Sequence, residues 1–174
     1  MKTISITTGK EGIKNLIVEW LELLAQEKYS EALDLIMYDN TQTVDGERWV
    51  WTPERLEAAV FTYGLPWFTK EDIKREYGDD CSVDYKVTSI LDAPDRDRLL
   101  EDIASSIDFF DYDISDEMAR TWVITGLDYK NIIGDVLFDG VPLNGERSDL
   151  TALFWILKVN ETDVTLLFRE LHVM

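Results

Sequence analysis

The chain has one cysteine, one histidine and half as many bases as acids among its 174 residues. Each shortage removes a class of protein. Cys81 has no second cysteine to pair with, so no disulfide framework exists, and a reducing compartment fits. Asp79 and Asp80 precede it, and adjacent carboxylates disfavour a nucleophilic thiolate. One Cys and one His cannot supply a four-ligand zinc site. Seventeen Lys and Arg against thirty-five Asp and Glu give a formal charge of -18. Phosphate binding needs clustered bases, so nucleic acid and anionic membranes are poor ligands. No run approaches the ~18 apolar residues of a membrane span. Met1 to Lys10 holds no apolar run of signal-peptide length, which makes the cytoplasm the expected location. No glycine-rich phosphate loop occurs, and no cofactor is expected.

What is present is a core. The composition is 45% hydrophobic, with six Trp, seven Tyr and seven Phe, unlike the aromatic-poor acidic tails that stay disordered. The length predicts one domain over residues 1–174, able to fold without metal or disulfide. The acidity has two readings: it keeps the chain soluble, or it steers a basic protein partner toward it.

The first half reads as helices. Ile13, Leu16, Ile17, Trp20, Leu21 and Leu24 recur on one helical face. Thr8 and Glu11 have capping-box spacing. Gln26 to Lys28 interrupts the pattern, and Tyr29, Ala32, Leu33 and Ile36 resume it, giving a bent helix or two helices to about Met37. A polar loop from Tyr38 to Glu47 leads to Trp49-Val50-Trp51. Thr52-Pro53 starts a helix with Leu56, Ala59, Val60 and Tyr63 as its buried stripe, ended by Gly64 and Pro66. Thr69 and Asp72 cap another, stopped at Gly78.

The second half reads mostly as strands. Val83, Tyr85 and Val87 alternate with polar residues. Leu99, Ile103, Ile107 and Phe110 return to helical spacing. Between Arg98 and Arg120 stand seven acids and no base: Glu101, Asp102, Asp108, Asp111, Asp113, Asp116 and Glu117. Strands are then expected over 121–127, 132–138 (with Gly134 at a bulge), 150–159 and 164–173, with turns at Asp139-Gly140 and Asn144-Gly145. In the last strand, alternation puts Val164, Leu166 and Phe168 on one face and Leu167, Leu171 and Val173 on the other.

This order predicts an α+β fold, with N-terminal helices packed on a curved antiparallel sheet. The blocks Trp20-Leu21-Glu22-Leu23-Leu24 and Tyr29-Ser30-Glu31-Ala32-Leu33 resemble the first helix of the NTF2-like (cystatin-like, cone-shaped) superfamily. The segment from Val136 to Glu146, within a closing meander from Asp135 to Met174, is similar to segments of uncharacterised bacterial proteins of that type. The chain departs from the pattern over about 95–118, where an acidic helix looks inserted between strands. The resemblance implies a cone-shaped fold. It leaves open a pocket enzyme such as an isomerase or hydrolase, a transport adaptor, or an immunity protein that neutralises a toxin.

Candidate residues follow. His172 is the one side chain suited to acid–base work near neutrality. Strict alternation puts it on the face of Phe168 and Glu170, so Glu170 or Asp149 could orient it as a general base. The bland reading is a histidine near the chain end. Trp20, Tyr63, Trp67, Trp122 and Trp155 are candidates to line a pocket, or else to fill the core. Trp49 and Trp51, if exposed, would anchor a partner. Asp108, Asp111, Asp113, Asp116 and Glu117 could meet a basic protein or simply face water. Counted from Asp111, the sixth and twelfth positions hold Asp116 and Trp122, where a calcium-binding EF-hand loop needs glycine and glutamate, so no metal is expected. A homodimer through the outward apolar face of the closing strands is a third possibility.

Overall fold

A computed structural model describes residues 1–38, 43–44, 47–66, 68–78, 84–115 and 128–173. Five helices among these residues stand with a strongly curled antiparallel sheet, an α+β half-barrel. Helix α1 (Gly9–Ala25) buries Ile13, Leu16, Ile17, Trp20, Leu21 and Leu24, the face its periodicity predicts. The expected Thr8 cap is absent: its hydroxyl donates instead to the Ser5 carbonyl, and no side chain caps the helix start. Glu27, at φ 57°, turns the chain into α2 (Tyr29–Leu35), so two helices form rather than one bent one. Helix α3 (Pro53–Phe61) is capped by Thr52, whose hydroxyl accepts from Arg55 N. Thr69 and Asp72 form a reciprocal capping box on α4 (Lys70–Tyr77), and Gly78 closes it.

The sheet is built from β1 (Ile4–Ser5), β2 (Met37–Tyr38), β5 (Ile107–Phe109), β6 (Ile132–Asp139), β9 (Leu150–Lys158) and β10 (Asp163–Val173). Its order is β1-β10-β9-β6-β5, with β2 added parallel to β10. The remaining short strands, β3 (Thr43–Val44) with β4 (Glu47–Arg48) and β7 (Pro142–Leu143) with β8 (Glu146–Arg147), form two separate hairpins. Asn144 at φ 51° and Gly145 at φ 87° supply the left-handed turn between β7 and β8, as Asn-Gly predicts.

Three expectations are corrected. Helix α5 (Arg96–Ser105) stops before Ile107, which enters β5 opposite Val136; the helical spacing of Ile107 and Phe110 is coincidental. Part of the segment expected as an inserted helix is therefore an edge of the main sheet. Residues 84–86 form no strand, and Val87 makes only a bridge to Leu143. In β10 the register runs from Phe168 opposite Phe154 to Glu170 opposite Leu153, leaving Arg169 as a bulge. The extra residue inverts everything after it. Leu171 joins Val164, Leu166 and Phe168 in the core, and Glu170 and His172 share the outer face with Leu153 and Thr151 rather than the face of Phe168. The strand expected at 121–127 lies outside the described residues, as do Val83 and 116–118 of the acidic segment.

The inner core sits between α1 and the curled sheet. Trp20 is fully buried there, edge-on to Phe154 at 5.1 Å and tilted against Phe168 at 5.0 Å. Trp51 continues the cluster, 4.8 Å from Phe168, and Trp49 stands 4.6 Å from Trp51. The outer sheet face carries a smaller cluster: Ile132, Trp155, Leu157 and Leu167 are covered by Ile114, with Met37, Phe110 and Tyr129 packed at its margin. Trp20→Ala should cost about 3–5 kcal/mol, since the ring is central and its neighbours are held by the strands; chemical denaturation measures it.

Candidate functional site

Among the described residues, the most site-like feature is a cleft of about 170 Å³ along the edge of β10, lined by Trp49, Trp51, Gly64, Pro66 and Arg169 to His172. Each wall has a local cause. The Trp51 indole Nε1 donates to the Arg169 carbonyl at 3.0 Å, so the bulge presents its oxygen to the tryptophan segment. Gly64, at φ 99°, ends the turn after α3 and lies so close to β10 that a Cβ there would stand 2.9 Å from His172 Cα and 3.0 Å from Val173 N. Only glycine permits both the conformation and the approach. Arg169 swings outward, its guanidinium 3.9 Å over the Trp155 ring.

Two of the proposed acid–base residues meet here. His172 Nδ1 lies 3.3 Å from Glu170 Oε2, and Arg169 stands 4.0 Å from Glu170 Oε1. Nδ1 is shielded from solvent and out of line for a hydrogen bond to that carboxylate, whereas the imidazole as a whole is about one-third exposed at 34%. The proximity is an ion pair only when the histidine is protonated. Asp149 does not join them: it is exposed, outside the cleft, and its backbone N donates to Tyr63 Oη at 3.2 Å.

The tryptophans do not converge on one pocket. Trp20 is in the inner core, Trp155 is buried on the opposite sheet face, and Tyr63 lies tilted against Tyr85 at 4.9 Å. Trp67 and Trp122 lie outside the described residues. Trp49 and Trp51 are buried, so the exposed anchor expected of them is not formed; Arg55 covers the Trp49 ring at 4.9 Å. They line the cleft instead. The turn signal of Gly64 and Pro66 was legible in sequence, but nothing local told which strand it would face.

The chain matches no protein-family model, no curated protein and no solved structure.

The acidic segment leaves α5 and crosses to the outer face. Asp108, Asp111 and Asp113 are exposed, and none makes an ion pair with a described residue. Tyr112 is 51% exposed and stacks on Phe110 at 5.1 Å, with the planes 13° apart. Phe110 to Ile114 line a hollow of about 310 Å³ with Lys130, Ile132 and Ile133. Asp116 and Glu117 lie outside the described residues, and among the described residues no group of acids, Cys or His is arranged to hold a metal.

Asp108 stands directly opposite Asp135 across β5 and β6. Like charges in that position repel. Burial, and then the Asp108 carboxylate, raise the Asp135 carboxyl above its ordinary value. The folded chain thus holds this proton more tightly than the unfolded chain. At acid pH both states are protonated and no penalty exists; as pH rises past the ordinary carboxyl range, stability is lost. Asp135→Asn should therefore raise the thermal midpoint at about pH 7 and leave it nearly unchanged at about pH 3. Gly64→Ala should lower stability by about 1–3 kcal/mol and shift the His172 ring resonances, because the obstructing atoms are backbone and cannot rotate away.

Proposed function

We propose that the protein is a non-enzymatic binding domain of NTF2-like, cone-shaped architecture that docks a basic protein on its acidic surface, in the manner of an immunity protein. One observation carries the reading most: Asp108, Asp111 and Asp113 are exposed and unpaired among the described residues, and they flank an exposed Tyr112 braced by Phe110. Unpaired carboxylates steer a cationic partner, and a braced aromatic among them supplies the desolvated anchor that charge alone does not. The filled interior supports the same reading. Trp20, Phe154 and Phe168 occupy the space between helix and sheet where a member of that superfamily with pocket chemistry would hold its substrate.

The outward apolar face offers little to a sheet-to-sheet dimer in its lower half, where Ile114 already covers Trp155, Leu157 and Leu167. The pocket-enzyme reading has one observation in its favour: Glu170 and His172 line a common cleft at 3.3 Å. If they act as a base and its orienting carboxylate, His172→Ala abolishes turnover. A cleft without chemistry leaves that variant equal to the parent.

Capture from native lysate on the immobilised protein should retain a basic protein at low salt and release it at moderate salt. Against that partner, replacing Asp108, Asp111 and Asp113 together by Asn should slow association about tenfold while changing dissociation less. Association indifferent to both salt and these substitutions overturns the acidic-face assignment.

A further inference from the structure

The cleft beside β10 has a shape and polarity that the docking of a basic protein does not use. Its volume of about 170 Å³ fits a single six-membered ring, since an apolar cavity of about 150 Å³ takes up benzene. Trp49 and Trp51, packed edge-to-face on each other at 4.6 Å and 82°, both contribute to its lining. Aromatic side chains pack favourably against further aromatic rings. Pro66 and the Gly64 turn complete the apolar part of the lining.

The rest of the lining is polar, and its polarity is specific. Glu170, when ionised, only accepts hydrogen bonds. Its Oε2 lies 3.3 Å from His172 Nδ1, so a carboxylate and an imidazole, which as a neutral ring has one acceptor nitrogen, stand together in the lining of the cleft. A carboxylate ligand would face Glu170. A cation would face Arg169 and compete with it for the same carboxylate, 4.0 Å away. A neutral ring bearing one O–H or N–H donor meets neither objection.

We propose that this cleft binds one neutral aromatic ring carrying a hydrogen-bond donor, the phenol class of ligand. Trp49 and Trp51 pack the ring, and Glu170 or His172 accepts its hydrogen bond. The ring can come from a free small molecule or from a tyrosine side chain of a bound protein; the chemistry of recognition is the same. The assignment is independent of the acidic face, which lies on the β5 side of the sheet, at the far end of the strand order from β10.

The test is a titration of the intact protein with phenol, with toluene and with N-acetyl-tyrosinamide, followed through the indole N–H resonances of Trp49 and Trp51. Phenol should saturate these shifts and bind about tenfold more tightly than the isosteric toluene, the worth of one hydrogen bond. His172→Phe combined with Glu170→Leu should erase that preference while toluene binding persists. Saturation by N-acetyl-tyrosinamide as well supports a tyrosine side chain as the occupant; saturation by phenol alone supports a free small ring. Equal binding of phenol and toluene to the parent protein overturns the proposal, as does failure of both phenol and the tyrosine amide to shift Trp49 and Trp51. Neither of these depends on a variant that must fold.

Discussion

The contact between the apolar face of α1 and the inner face of β9 and β10 is the constraint on which the other features rest. Trp20 sits at its centre with Phe154 and Phe168, and Trp51 joins from the segment before α3. Burying so much aromatic surface in one place drives helix and sheet together. It also costs something: the Trp20 indole Nε1 has no hydrogen-bond partner among the described residues. An unpaired buried donor costs about 1–3 kcal/mol. A ring of this size removes enough apolar area from water to offset it.

A single extra residue decides what that edge presents. Without the bulge at Arg169, strict alternation would turn Leu171 outward and bring His172 toward the core face. With it, Leu171 completes the core, and Glu170 and His172 line the cleft together. The Arg169 carbonyl freed at the irregularity is taken by the Trp51 indole. The bulge, the tryptophan and the close approach of Gly64 thus form one arrangement: each occupies a backbone group or space that the others expose. An edge strand left open would invite pairing with another chain. Here the turn at Gly64 stands across it.

The acidity is distributed differently from the chemistry. Several surface carboxylates have local partners, such as Glu57 with Lys70 and Glu27 with Lys86, each at the low energies typical of exposed pairs. Asp108 on β5 and Asp111 and Asp113 after it make no ion pair among the described residues. Asp108 opposite Asp135 weakens the edge of the sheet that it helps to build.

Local elements were legible because their causes are local. The buried face of α1, the Thr52-Pro53 start, the Thr69–Asp72 box, the Asn144-Gly145 turn and the two-sided apolar strand at Leu150–Lys158 follow from periodicity, side-chain reach and backbone preference within a few residues. The meeting of Glu170 with His172 was also legible from their spacing, although for the wrong face. What the tertiary structure alone decided involves partners distant in sequence. Ile107 is a strand residue because β6 offers it a ladder, and helical spacing carries no information about that offer. Trp49 and Trp51 are buried because α3 and β10 converge on them, so their exposure had no local determinant. The residue by which β10 slips is fixed by the demand that both Phe168 and Leu171 reach the core. That demand exists only once β9 is in place.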